Sequence, residues 1–346
     1  MGMPAMVTRL RSIIAGLLAL SVLMGACGGD SVDVPPDDDV AGEDTSSHDQ
    51  DDDMSDGGIA ADCVEPPVAD GSAIAFTSDR DGKLEIYAMR ADGADPRRIT
   101  NHAENNLDST WSPDGMHIAF TALRDGSGDI HVVDADGANP RSVTSDPQSH
   151  SEPAWSPDGG MIAFTSAHEL LPNGWNMEIY VMDADGANQR NITNVEFVDT
   201  HPTWSPDGKR IAFERDHTRG KFFNDVTIYV MDANGANLRT LTESPGQDAD
   251  PAWSPDGGSI AFASTRDGKS DIYVMDADGA DQRRLTVHPE HDLDPTWSPD
   301  GERIAFISRR DGNWEIYVMD ADGANQCNIT NHPAEDSRPA WSPALR

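Results

Sequence analysis

The sequence predicts an all-β fold, a six-bladed β-propeller with four antiparallel strands in each blade. The first observation is that the 346-residue chain repeats one text of about 44 residues, and the motif W-S-P recurs at intervals of 44, 49, 49, 44 and 44. A fixed period of about 40–50 residues with several short strands per unit is typical of propellers, which form one sheet per repeat. The six tryptophans of the motif are Trp111, Trp155, Trp204, Trp253, Trp297 and Trp341.

The second observation is that each repeat contains four runs typical of strands. The first is P-x-W-S-P, the second is I-A-F, the third resembles I-Y-V-M-D, and the fourth ends in Ile, Leu or Val followed by Thr. Runs of β-branched and aromatic residues bounded by turn residues indicate strands. Strict alternation is absent, as expected for sheets that pack face to face and bury both sides.

The connections between these runs predict two different faces. P-D-G joins the first two strands, and A-D-G or N-G joins the last two, which are tight hairpin signals. The loop between the second and third strands varies in length, whereas the crossover to the next repeat is constant. Because strand directions alternate, both tight turns lie on one face, the tight-turn face. The variable loops and crossovers lie on the other, the loop face, where binding surfaces are usually built.

The ends of the repeat region predict how the ring closes. The first unit, which starts at Ile74, lacks its W-S-P strand, and the chain ends just after a sixth such strand at residues 339–343. We expect residues 339–343 to complete the sheet of residues 74–100. This pairing leaves no open sheet edge and gives six blades.

The N-terminus predicts secretion and a lipid anchor. Arg9 and Arg11 precede an apolar stretch, residues 12–26, that is too short for a membrane-spanning helix and ends at Cys27. The run L-M-G-A-C resembles a bacterial lipobox, which implies cleavage before Cys27 and acylation of this residue. An ordinary signal peptide with an incidental cysteine is the alternative. We expect a signal peptide at residues 1–26, Cys27 with an acidic disordered tether at 27–63, and the propeller at 64–346.

Charge and cysteine content narrow the function. The chain has 61 acidic against 25 basic residues, a net charge of −36, which excludes nucleic acid as a partner because its binders need basic patches. Once Cys27 is acylated, Cys63 and Cys327 are left in an oxidising compartment. We therefore expect a Cys63–Cys327 disulfide.

Residues 72–346 resemble the TolB-type propeller repeat. The matching text is W-S-P-D-G-x-x-I-A-F, then I-Y-V-M-D-A-D-G-A-N, then R-x-Ile/Leu-T. The resemblance implies a periplasmic propeller whose central opening receives a partner protein. An acidic tether stands where TolB carries an α/β domain. We therefore expect a monomeric protein of the bacterial envelope, anchored by lipid at the outer membrane, that binds a protein or glycan.

Catalytic motifs are absent from the sequence. It contains no G-x-S-x-G, P-loop or H-E-x-x-H. The D-A-D-G-A-N copies are interpreted as hairpin turns, since calcium needs six to eight oxygen ligands in a longer loop. The W-S-P tryptophans are interpreted as packing between blades. We therefore predict a non-enzymatic protein. The alternative is a metal-dependent propeller enzyme, of polysaccharide lyase or hydrolase type, with its site at the ring mouth.

The candidate binding site is the central opening on the loop face, the ring mouth. The residues expected to face it, at the start of each W-S-P strand, are Asp108, Glu152, His201, Asp250, Asp294 and Arg338. A second tier two residues earlier contains Asn106, His150, Asp199, Asp248, Asp292 and Asp336. Eight of these twelve are acids, and converging carboxylates focus a negative potential.

Several interpretations of this acidic ring are open. It would bind a cation, either calcium or a basic loop of an envelope partner. It could equally be a solvated acidic rim without a ligand. A third interpretation is a metal held by the histidines of the loop face, His150, His201 and His291. No other cofactor is predicted.

Overall fold

The structure is a computed structural model that describes residues 72–101, 104–167, 176–218 and 225–343. The predicted signal peptide, Cys27, the tether and Cys63 lie outside the described residues. Cys327 is disulfide-bonded, but both other cysteines are outside this part of the chain, so its pairing with Cys63 stays a prediction. A search of the described residues finds no helix with the length and apolarity needed to span a membrane.

The described residues form an all-β propeller of 24 strands in five sheets. The closing sheet contains, in order, β24 (Asp336–Trp341), β1 (Ala73–Ser78), β2 (Glu85–Arg90) and β3 (Arg97–Arg98). The next contains β4 (Asn106–Trp111), β5 (His117–Arg124), β6 (Ser127–Asp134) and β7 (Arg141–Ser142). Two further sheets contain β16 (Asp248–Trp253), β17 (Ser259–Ser264), β18 (Asp271–Asp276) and β19 (Arg283–Arg284), then β20 (Asp292–Trp297), β21 (Arg303–Ser308), β22 (Glu315–Asp320) and β23 (Cys327–Asn328).

The fifth sheet has eight strands. They are β8 (Ser149–Trp155), β9 (Met161–Ala167), β10 (Met177–Asp183), β11 (Arg190–Asn191), β12 (Val198–Trp204), β13 (Arg210–Asp216), β14 (Val226–Asp232) and β15 (Arg239–Thr240). Its two antiparallel halves meet at a single parallel pair, Met177 with Val198. The W-S-P strands, here called the inner strands, contact one another in a closed cycle from β4 through β8, β12, β16 and β20 to β24 and back to β4.

The C-terminal strand closes the first sheet. β24 pairs antiparallel with β1, with Trp341 opposite Ile74. The hydroxyl of Ser342 accepts the backbone N–H of Ala73 at 2.8 Å, and the Ser342 N–H donates to the Ala73 carbonyl at 2.7 Å. β1 therefore lies between β24 and β2, and the first unit has the W-S-P strand that its own sequence lacks.

The I-A-F motif supplies the core of every sheet. All six of its phenylalanines are fully buried: Phe76, Phe120, Phe164, Phe213, Phe262 and Phe306. The W-S-P tryptophans pack between neighbouring sheets, as interpreted from the sequence. Trp111, for example, clusters with Ala75 and Ile86 of the closing sheet. Burying a large side chain contributes about 1.5–3 kcal/mol, so the repeated motif alone provides most of the packing.

The A-D-G turns hold the sheets close together on the tight-turn face. A Cβ on Gly186, whose φ is +94°, would lie 2.1 Å from the carbonyl oxygen of Val143 in the preceding repeat. The equivalent Gly93 would meet the Ile329 carbonyl at the same distance, across the seam where the chain ends meet. Only glycine combines a positive φ with this close approach. The fourth strands are shorter than predicted, because the threonine that follows uses its hydroxyl to bond the third strand, as Thr100 does with the Ile86 N–H at 2.9 Å.

Candidate functional site

A β-bulge in each inner strand positions the residue expected at the ring mouth. The register of β4 against β5 shifts between Leu107 and Thr110, and the same shift recurs in the other five inner strands. The bulged residue has a φ of 52–55° in every copy. This left-handed conformation is uncommon for residues other than glycine and is a local cost that recurs six times. The six residues are Asp108, Glu152, His201, Asp250, Asp294 and Arg338.

These six side chains surround one small opening of about 160 Å³. The residue after each of them, a proline in five copies and Ser109 in the sixth, completes the lining. The structure thus places the whole first tier at the ring mouth, where the sequence analysis put it. Binding at this opening stays a prediction.

The second tier does not join the ring mouth, and this part of the expectation is corrected. Asn106, His150, Asp199, Asp248, Asp292 and Asp336 are buried within the sheets. The bulge is the reason, since an extra residue breaks the period of two and turns side chains on either side of it in different directions.

Four second-tier aspartates form buried ion pairs within their sheets. The pairs are Asp336 with Arg80 at 2.8 Å, Asp199 with Arg215 at 2.7 Å, Asp248 with Arg266 at 2.9 Å, and Asp292 with Arg310 at 3.0 Å. The other two second-tier residues are not aspartates and form different contacts. Asn106 donates to Glu85 at 2.7 Å, and a ring nitrogen of His150 lies 2.8 Å from a carboxylate oxygen of Asp146. The motif R-D-G, present at Arg80, Arg124, Arg266 and Arg310, is the sequence signal that would have identified three of these partners, the exception being Arg124, whose unit has Asn106 in place of the aspartate.

The three loop-face histidines are not brought together. His150 is 2% exposed and packs edge-on against Phe164, while His291 accepts the backbone N–H of Ser270. Only His201 of the three lines the ring mouth. The described residues instead contain one group with ligand atoms within 4.8 Å of one another, namely His201, Glu214 and Asp250.

Glu214 is a residue of the site that sequence reasoning missed. It lies on β13, where its Oε1 accepts the backbone N–H of Asp250 at 2.6 Å and approaches His201 Nδ1 at 3.3 Å. The signal was present in the repeat itself. The position after I-A-F is Thr in three copies, then Glu, Ala and Ile, so Glu214 is the one charged residue at this position.

Arg338 is the centre of the charge network. Its Nε lies 3.4 Å from Asp108 Oδ1, and its Nη1 lies 3.4 Å from Asp294 Oδ1 and 3.9 Å from Asp250 Oδ1. Nη1 also lies 2.7 Å from Nε2 of His201. In the cycle of inner strands, β12 and β24 are three steps apart in either direction, so this contact crosses the full opening. The surrounding carboxylates keep the pKa of Arg338 raised, against the opposing effect of burial.

His201 lies between cationic and anionic neighbours. Burial lowers its pKa, but the carboxylates of Glu152 and Glu214 outweigh burial and raise it to about 10. A guanidinium only donates hydrogen bonds, so the 2.7 Å contact requires an unprotonated Nε2 with the proton on Nδ1, facing Glu214. The raised pKa favours the imidazolium at neutral pH, so the close contact belongs to the neutral imidazole and must lengthen once Nε2 gains its proton.

The acids of the ring differ in protonation. Burial, together with the charges of Asp294 and Glu214, raises the pKa of Asp250 to about 8. Burial also raises the pKa of Asp108, with Arg338 acting in the opposite direction. For Glu214, burial acts upward, yet His201 holds the pKa below its usual range. The ring mouth thus places carboxyl groups whose pKa values shift in opposite directions around one guanidinium.

Comparison with known proteins identifies the repeat. The family described as the TolB beta propeller domain matches residues 63–170, 151–223 and 223–295. The chain belongs to this family. A 43-residue stretch is 51% identical to the Tol-Pal system protein TolB of Desulfosudis oleivorans, and it covers 12% of this chain and 10% of that protein. The aligned stretch therefore spans a tenth of the length of that TolB protein.

Solved structures agree on the fold. TolB from Acinetobacter baumannii superposes with a TM-score of 0.68 at 25% identity, covering 79% of this chain and 67% of that one. An oligogalacturonate lyase in complex with manganese superposes with a TM-score of 0.55 at 17% identity, covering 75% of this chain and 74% of that one. The second likeness shows the fold alone.

Proposed function

We propose that this TolB-like chain is a non-catalytic, lipid-anchored propeller of the bacterial cell envelope that binds a partner protein at its ring mouth. The observation that carries the proposal is the convergence of four carboxyl groups on one opening, on a fold whose family includes TolB. These groups belong to Asp108, Glu152, Asp250 and Asp294, and Glu214 approaches His201 of the same opening. The similarity to TolB supports a location in the periplasmic envelope.

The proposed ring has six blades. The eight-stranded sheet counts as two blades, because its halves share a single residue pair while each half has its own antiparallel ladder. The closed cycle of six inner strands supports the same number. β24 completes the blade of the first unit by pairing with β1.

The anchor is proposed from Cys27. A Cys27→Ser variant is expected in the soluble fraction, because acyl chains contribute about 0.8 kcal/mol per buried methylene to membrane binding. Cys63→Ser serves as the control and is expected to fractionate with membranes like the parent. Membrane association of Cys27→Ser would place the anchor elsewhere. Peptide mapping of the non-reduced protein tests the Cys63–Cys327 bridge in the same preparation.

Partner binding is tested with two matched double variants. Asp250→Asn with Asp294→Asn removes two carboxylates at the ring mouth, and Asp256→Asn with Asp300→Asn removes two on the tight-turn face. After crosslinking in cells, the parent and the second variant are expected to capture the same partner, identified by mass spectrometry, and the first variant to lose it. Equal capture by both variants would refute binding at the ring mouth. A captured glycan would change the class of partner.

A metal-dependent enzyme is the second candidate. It is favoured by the His201, Glu214 and Asp250 group and by the shared fold of a manganese-containing lyase. Polysaccharide cleavage with manganese or calcium present, abolished by His201→Ala, would establish it in place of the binding function. We expect no turnover.

A further inference from the structure

We propose that the ring mouth is a binding site for a guanidinium or ammonium group, and that in the isolated protein the chain fills it with its own Arg338. The proposal names the chemical group that a partner would present to the ring mouth. Only this statement about a partner rests on the proposed function. The site itself is testable without a partner.

Comparison of the six repeats shows that Arg338 is a cation at a position that is usually acidic. Its position holds an acid in four of the other five copies: Asp108, Glu152, Asp250 and Asp294. The same bulge that directs those carboxylates to the axis directs the guanidinium among them. The side chain is 12% exposed, so the arginine is held inside the opening.

The contacts of Arg338 show a planar cation among several acids. Arg338 reaches Asp108, Asp294 and Asp250, which lie on three different inner strands, through Nε and Nη1 at 3.4–3.9 Å. At these lengths the contacts are ion pairs and not hydrogen bonds. A guanidinium suits this arrangement because its five donors point in several directions from one delocalised charge.

Among the described residues, the one compact group of possible metal ligands already has this cation beside two of its three members. His201, Glu214 and Asp250 lie close enough to share a metal, but Arg338 Nη1 is 2.7 Å from His201 Nε2. A metal ion bound there would face the guanidinium at close range, and the two positive charges would repel. Arg338 thus excludes a metal ion from the ring mouth and selects against calcium.

The resident group satisfies one acceptor of the site only weakly. Oδ1 of Asp108 is buried, accepts no hydrogen bond within the described residues, and meets Arg338 Nε only as an ion pair at 3.4 Å. Its side chain is 6% exposed and points into the opening next to Arg338 Nε. A buried carboxylate oxygen without a hydrogen bond is costly, and a lysine or arginine of a partner would supply the missing donor as it competes with Arg338.

The test removes the resident cation and offers a replacement. Arg338→Ala should lower the melting temperature, and millimolar guanidinium ion should raise it again, with binding detected by calorimetry. Arg338→Lys keeps a positive charge and should not respond, and Arg141→Ala controls for loss of an exposed arginine on the tight-turn face. If Arg338→Ala is unfolded, its refolding yield with and without guanidinium gives the same information.

The possible outcomes support or overturn the proposal. Stabilisation of Arg338→Ala by guanidinium but not by calcium supports the proposal. Stabilisation by calcium alone, or calcium binding by the parent, would overturn it, as would an Arg338→Ala variant that responds to neither ion. In the crosslinking assay, Arg338→Ala should bind a basic partner about tenfold more tightly, at the low end of coupling energies for buried charge pairs. Guanidinium rescue without any captured partner would leave the site intact and refute the partner function.

Discussion

The two faces of the ring differ in how closely they follow the repeat. On the tight-turn face, the serine of each complete W-S-P-D-G copy donates to the aspartate two residues later, as Ser112 does to Asp114 at 2.5 Å and Ser156 to Asp158 at 2.6 Å. At the ring mouth, one backbone conformation presents aspartate, glutamate, histidine and arginine. Residues that repeat hold the ring together, whereas residues that depart from the repeat create its electrostatics.

The largest expected effect comes from breaking the ring itself. Deleting residues 337–346 removes most of β24 and leaves β1 as an open edge. We expect the melting temperature to fall by roughly 10 °C or more, since several kcal/mol of pairing and packing are lost. Deleting 344–346 alone is the control. A melting temperature unchanged by the longer deletion would contradict closure by β24.

A smaller effect is expected from two glycine substitutions, which together distinguish the cost of backbone crowding from the cost of the turn conformation. Gly186→Ala places a Cβ 2.1 Å from the Val143 carbonyl, whereas Gly82→Ala, also at positive φ, meets nothing within 4 Å. Both pay the cost of a positive φ, about 1 kcal/mol. Gly186→Ala is expected to lose about 2 kcal/mol more in urea unfolding. Equal losses would show that the contact between Gly186 and Val143 tolerates the added methyl group.

At the ring mouth, the expected effect depends on pH. Because the pKa of Asp250 is raised to about 8, the folded state keeps a proton that the unfolded carboxyl, with a pKa of 3.8, releases. The associated stability is lost as pH rises from about 4 through about 8. Asp250→Asn does not titrate, so we expect its free energy of unfolding to rise relative to that of the parent by on the order of 4 kcal/mol between pH 5 and pH 8.

The matched control is Asp278→Asn, in an exposed turn on the other face. The free energy of unfolding of Asp278→Asn should change between pH 5 and pH 8 by the same amount as that of the parent. Parallel pH curves for parent and Asp250→Asn would mean that the Asp250 carboxyl is ionised in the folded protein.

The smallest effect concerns one repeated turn. The Ser156 hydroxyl and the Gly160 N–H lower the pKa of Asp158, so its stabilisation is present above pH 4 and is lost as pH falls through the lowered pKa. Asp158→Ala is expected to cost a few tenths of a kcal/mol at pH 7, because solvent screens this exposed group. Asp158→Asn keeps an oxygen that can accept these hydrogen bonds, so its free energy of unfolding should lie between those of the parent and Asp158→Ala. If Asp158→Ala lost as much free energy of unfolding as Gly186→Ala, the hydrogen bonds of this turn would stabilise the fold more than solvent screening allows.

Most of the fold could be predicted because the sequence contains its own alignment. Six copies distinguish strand residues such as Phe76 and Phe120 from turn residues without any relative, and the missing first W-S-P strand predicts the pairing of Ile74 with Trp341. The first tier of the site followed from the same alignment, since one position in each copy leads into the inner strand.

The remainder of the site depends on geometry that residue types do not reveal. The bulge at Asp250 is formed by a non-glycine residue in a left-handed conformation, so the alternation that placed Asp248 beside it did not hold. The contact between Arg338 and His201 joins residues 137 positions apart and depends on the width of the ring. Glu214 could have been found by comparing the copies position by position.

The placement of β1 between β24 and β2 has a mechanical consequence. The described part of the chain enters the propeller at β1, a strand held by hydrogen bonds on both edges. A force directed along that strand loads two antiparallel ladders in shear, so many hydrogen bonds resist together and do not open one after another. The C-terminal strand thus gives β1 a resistance to pulling that an edge strand would lack.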